Sequence, residues 1–106
     1  MNSALKDPLG RLVVLHDATW YGRILKGHPN LAPHRALVEQ TVRTPAAVHP
    51  SVSDPDCRLY YGPAPIADRM MCVVANVREG FVMTAYFCKR LKPGASEWPP
   101  PNPSKE

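Results

Sequence analysis

MMCVVANVREGFVMTAYF, Met70–Phe87, decides how this chain folds. Two apolar runs rich in Val, Met and aromatics flank Arg-Glu-Gly, the pattern of a β-hairpin turning at Glu79–Gly80. With a two-residue loop Arg78 pairs with Phe81, and Ala75 lies opposite Thr84. One face then carries Met71, Val73, Ala75, Val77, Val82, Thr84, Tyr86 and Cys88. The other carries Cys72, Val74, Asn76, Arg78, Phe81, Met83, Ala85 and Phe87. Side chains alternate across a strand, and both faces are mostly apolar, so the hairpin belongs in the middle of a sheet. In this register Cys72 and Cys88 fall on opposite faces, which argues against a disulfide between them.

Upstream of the hairpin, AAVHP (46–50) and CRLYYG (57–62) keep the period of two and read as two further strands. Before residue 46 the period is helical. Asp17 suits a helix N-cap, and Trp20, Tyr21, Ile24 and Leu25 follow at helical spacing, with Gly22 costing about 1 kcal/mol relative to alanine. Gly27 suits the stop. His28 precedes Pro29, so its backbone is pushed towards an extended conformation. A second helix begins near Asn30–Pro33 and is closed by Pro45. Leu37, Val38, Thr41 and Val42 form its buried stripe, and Arg35, Glu39 and Arg43 its solvated side. LVVLHD (12–17) reads as a strand or an apolar lead-in. Two helices followed by an antiparallel meander of about four strands make an α+β layer fold, with the helices on one face of the sheet.

At 106 residues the chain is one domain. Five of the thirteen prolines lie in PGASEWPPPNPSKE (93–106), which has no apolar periodicity and reads as an extended or disordered tail. The folding unit is residues 8–92. The formal net charge is +4, and residues 1–92 hold twelve Lys and Arg against seven Asp and Glu. This balance weakly favours an anionic partner such as nucleic acid. No segment reaches the roughly 18 apolar residues of a membrane span, and MNSALKDPLG has no signal-peptide core. Cys57, Cys72 and Cys88 form no recognisable framework, so a reducing cytoplasm is the expected compartment.

Trp20 with Ile24, His28–Pro29, the helix ending at Thr44–Pro45, RLYYG (58–62), CVVANV (72–77) and FVMTAYF (81–87) occur in an order that resembles a known group. It is similar to the phage-associated branch of the barnase–EndoU–colicin E5/D–RelE-like nuclease superfamily, over roughly residues 12–90. The resemblance implies a helix pair on a sheet and, as in many members, metal-independent endoribonuclease activity of toxin or phage-associated character. RNA, either tRNA or ribosome-associated mRNA, would be the partner, together with an antitoxin or immunity protein. The group's histidine, arginine and hydroxyl positions would fall on His28, Arg58 and Thr84. Where members often carry a second histidine, this chain has Arg23.

In such a reaction the RNA 2′-OH attacks phosphorus, so the protein needs a base, a cation for the phosphorane and a proton donor. His28 suits the acid–base role, or is a helix-capping residue. Arg58 beside Tyr60 suits a phosphate clamp with base stacking, or ordinary strand packing. Thr84 with Tyr86 orients the phosphate, or only packs. Lys89, Arg90 and Lys92 steer RNA or form a solvated strand end. His34 reads as a packing residue, while His16 ends an apolar run and His49 precedes a loop proline. No ligand spacing supports a metal, and no cofactor is expected. The alternative on the same fold is a non-catalytic module binding protein or nucleic acid, with WPPPNP (98–103) as a docking peptide.

Overall fold

The computed structural model describes residues 1–89 and 96–100. Its strands are β1 (Ser3–Lys6), β2 (Leu12–Leu15), β3 (Ala47–Pro50), β4 (Cys57–Pro63), β5 (Met70–Asn76) and β6 (Phe81–Cys88). Helix α1 spans 17–27 and contains a π-helical stretch at Trp20–Ile24; a 3-10 turn at Pro29–His34 leads into α2 (Arg35–Arg43). The class is α+β, as expected. Among the described residues the sheet has six strands, not about four, in the order β1-β2-β6-β5-β4-β3. β3 to β6 form the antiparallel meander. LVVL is a strand, pairing with β1 in a hairpin and joining β6 in parallel at Val14–Phe81.

The folding unit reaches beyond residues 8–92 at both ends. β1 lies before residue 8, and its Leu5 is fully buried. SALK has one strong apolar residue, so its strand character depends on pairing with β2. At the other end the Val48 amide donates to the Trp98 carbonyl (2.8 Å) and the Glu97 amide donates to Val48 O (2.7 Å). The prolines do not exclude this pairing, because it runs along the sheet edge at residues 97 and 98. Residues 93–95 and 101–106 of the expected tail lie outside the described residues.

Each helix buries part of the stripe its spacing specifies, with Leu25 and Leu37 half-buried. Trp20 and Ile24 of α1, and Val38, Thr41 and Val42 of α2, are buried, whereas Tyr21 is exposed. Asp17 is the first residue of α1 and not its cap; Asn2 Oδ1 accepts the Asp17 amide proton (2.8 Å). The helices cover the face carrying Tyr60, Met71, Val73, Ala75, Val82 and Ala85. α2 approaches closely at Gly62, where a Cβ would lie 3.1 Å from Thr41 Oγ1. That hydroxyl is itself satisfied by Leu37 O at 2.7 Å. The opposite face holds a second cluster of Ala47, Leu59, Tyr61 and Cys72, joined by Val74, Tyr86 and Cys88. The central hairpin is thus apolar on both faces, as its sequence requires.

Two features overturn the expected hairpin register. The loop is four residues, Val77–Gly80, because Asn76 pairs with Phe81. Asn76 accepts the Gly80 amide through its carbonyl and the Glu79 amide through its side chain, both at 2.8 Å, and Gly80 takes φ +85°. A bulge then follows, since Ala75 faces Val82 but Val74 faces Thr84, leaving Met83 without a partner across the ladder. Beyond it every side chain of β6 changes side relative to the expectation. Thr84, Tyr86 and Cys88 share the outer face with Cys72 and Val74, while Ala85 and Phe87 join the helix side. Cys72 and Cys88 therefore share a face, yet Cys72 opposes Tyr86 and Cys88 opposes Met70, and no cysteine is in a disulfide.

Candidate nucleic-acid interface

The expected catalytic residues do not converge. Arg58 and Tyr60 of β4 oppose Ala75 and Val73, which lie on the helix side. Thr84 opposes Val74, on the outer side. Arg58 Nε donates to Glu97 Oε2 (3.1 Å), and its Nη1 donates to the carbonyls of Pro55 (2.8 Å) and Cys57 (2.9 Å). The guanidinium expected to clamp phosphate is thus bound within the protein. Tyr60 is fully buried and donates to Asp7 Oδ2 at 2.6 Å, so it has no free face for a base. Its pKa stands well above the ordinary phenol value, through burial first and then the Asp7 carboxylate.

Asp7 forms a polar centre that no sequence motif marks as functional. It is 4% exposed, and its Oδ1 accepts the Leu9 (2.9 Å) and Arg11 (2.8 Å) amides. Its Oδ2 takes Arg11 Nε (2.8 Å) and the Tyr60 hydroxyl. Burial raises its pKa, but the bonds from Tyr60 and Arg11 outweigh this and hold the carboxyl below its ordinary range. The available signal was DPLG at 7–10, an Asp-Pro turn between two apolar runs. Since β1 and β4 are separated by three strands in the sheet order, the Tyr60–Asp7 bond also shows that the sheet curls back on itself.

One part of the expected site does assemble. His28 terminates α1, its amide donating to Ile24 O (2.8 Å), at φ −138° and ψ 71°. Its ring lies 5.8 Å from that of Tyr86, tilted by 33°. Both side chains are half-buried. Burial first, then a contact with Cys72, pushes the Tyr86 phenol well above its ordinary pKa, so it is neutral and can donate. Thr84 stands two residues from Tyr86 along β6, on the same face. Arg23 and Lys26, near the end of α1 that carries His28, are exposed, as is Lys89 just past β6. None of the three has an ion-pair partner among the described residues. Arg90 lies outside the described residues.

The remaining histidines are packed or solvated. His34 meets Phe87 edge-on (5.6 Å), while His49, on β3 and not in a loop, meets Tyr61 edge-on (5.6 Å); His16 is exposed. Among the described residues no group of His, Cys, Asp or Glu could hold a metal, no pocket is enclosed, and no helix is long and apolar enough to cross a membrane. An aromatic pair on a surface that also carries exposed Arg23, Lys26 and Lys89 suits base stacking with backbone contact. No family model, curated protein or solved structure matches the chain.

Proposed function

We propose that the protein is a non-catalytic module that binds single-stranded RNA. The observation that carries this reading is the His28–Tyr86 ring pair, 5.8 Å apart, with Arg23, Lys26 and Lys89 unpaired among the described residues. Each base has a π face to stack, and lysine or arginine meets the phosphates. The resemblance to RelE-like nucleases supports RNA as the partner and supplies the reading of the strand, helix pair and meander as that fold. Cleavage is the weaker reading. Arg58, which would have held the phosphate, faces away from Thr84 and is bound to Glu97.

Fluorescence anisotropy with a labelled single-stranded RNA tests the proposal. Three phosphate contacts give a slope of about −2 for log affinity against log salt. Replacing His28 by Ala should weaken binding by about 1–3 kcal/mol if it stacks a base. Arg23→Ala with Lys26→Ala should weaken binding and flatten the slope without touching the core. Absence of binding, or binding that these substitutions leave unchanged, refutes the reading. RNA cut in excess EDTA by the wild type but not by His28→Ala would restore the nuclease.

A further inference from the structure

The segment 96–100 is held by contacts that have the character of a bound ligand. Glu97 lies between two guanidinium groups, accepting from Arg11 Nη2 (2.7 Å) and Nη1 (3.2 Å) at one side and from Arg58 Nε (3.1 Å) at the other. Neither arginine depends on Glu97 for its orientation. Asp7 fixes Arg11 through Nε, and the Pro55 and Cys57 carbonyls fix Arg58 through Nη1. The Val48 N–H and C=O on the outer edge of β3 pair with residues 97 and 98 as an added strand. Trp98 packs against the main core, partly buried. With Glu97 withdrawn, the Asp7–Arg11 pair would be the one ion pair left to these arginines among the described residues, and an anion would be attracted.

We infer that the outer edge of β3, with Arg11 and Arg58, is a docking site for an extended peptide in which an acidic residue precedes a tryptophan. The chain fills this site with its own Glu97–Trp98, and a partner protein presenting the same segment competes for it. Strand addition supplies the main-chain pairing, the two arginines select the carboxylate, and the core-facing position selects the ring. The site shares no residue with the His28–Tyr86 surface, and the inference does not rest on RNA binding. The attached segment acts at high effective concentration, on the order of millimolar for a short connection. A free peptide must therefore reach that range to displace it from the wild type, and less where the attached segment is weakened.

The full chain carrying 5-fluorotryptophan tests this, because Trp20 and Trp98 give separate ¹⁹F resonances. A peptide of residues 95–101 should shift the Trp98 resonance and leave that of Trp20 in place. Glu97→Gln in the chain should release its own segment and raise the apparent affinity for the peptide about tenfold or more, given the strength of hydrogen bonds to charged groups. The same peptide with Gln at position 97 should bind more weakly by a similar factor. A Trp98 resonance that Glu97→Gln leaves unmoved overturns the inference, as does a released segment whose place the peptide does not take. Displacement of Trp98 by oligo(U) but not by the peptide would assign the arginines to a phosphate ligand and overturn it too. If Glu97→Gln disperses the Trp20 resonance through misfolding, peptide competition on the wild-type chain decides alone.

Discussion

Replacing Asp7 by Asn removes one charge from a side chain that accepts four hydrogen bonds, while keeping its shape. Oδ1 keeps the amide protons of Leu9 and Arg11, so the β1–β2 turn retains its local bonds. The other position becomes an NH2 group facing Arg11 Nε and the Tyr60 hydroxyl, both of which donate to the carboxylate. Tyr60 can rotate its hydroxyl and accept, but Arg11 cannot. Breaking a buried ion pair by altering one partner costs about 3–5 kcal/mol, and the retained bonds place this case near 3. A chain of this length loses roughly 4–8 °C per kcal/mol, so the melting temperature should fall by at least about 12 °C. Thermal unfolding followed by far-UV circular dichroism at neutral pH reads this directly. The pH dependence supplies a second check. A carboxyl whose pKa is lower folded than unfolded stabilises the fold above its unfolded value, and the effect is lost as pH falls through the folded value. The gap between wild type and Asp7→Asn should be full at neutral pH, begin to close near 3.8 and vanish below the folded-state value. A melting temperature within a few degrees of wild type, or a gap that does not close in acid, would refute the account of Asp7 as the charged hub joining the first hairpin to β4.

Gly62→Ala places a methyl group 3.1 Å from Thr41 Oγ1 and 3.2 Å from Thr41 Cγ2, and overpacking of this kind should cost about 1–3 kcal/mol. Thr41→Ala in the same chain should recover part of that loss, and urea denaturation of the two single variants and the double variant measures the coupling. Alkylation followed by mass spectrometry should find Cys88, which is half-buried, modified well before Cys57 and Cys72, which are buried. Burial and the neighbouring Asp54 carboxylate also push the Cys57 thiol upward, so that less of it is thiolate at neutral pH. Modification of Cys72 at the rate of Cys88 in native protein would contradict the packing of the outer face.

Elements whose signal is local were legible in the amino-acid order. Trp20 with Ile24, and Val38 with Val42, are spaced for a buried helical stripe, and they are the residues the helices bury. The Met70–Phe87 stretch is apolar on both faces, and it forms β5 and β6, the two middle strands of the sheet. Tertiary structure alone decided where the chemistry of the outer strands points. FVMTAYF has no glycine or proline to mark a bulge, yet one unpaired residue at Met83 moves Thr84 and Tyr86 to the face opposite Arg58, because side chains alternate and a one-residue slip inverts them all. Asp7 and Tyr60 are 53 residues apart, and Arg11 and Glu97 are 86 apart, so no window of sequence contains either pair. Buried charges persist only where the fold supplies partners, and curling of the sheet is what brings these partners together. The approach of His28 to Tyr86 has the same origin: it depends on α1 packing beside β6 as well as on the turn at Gly27–Pro29.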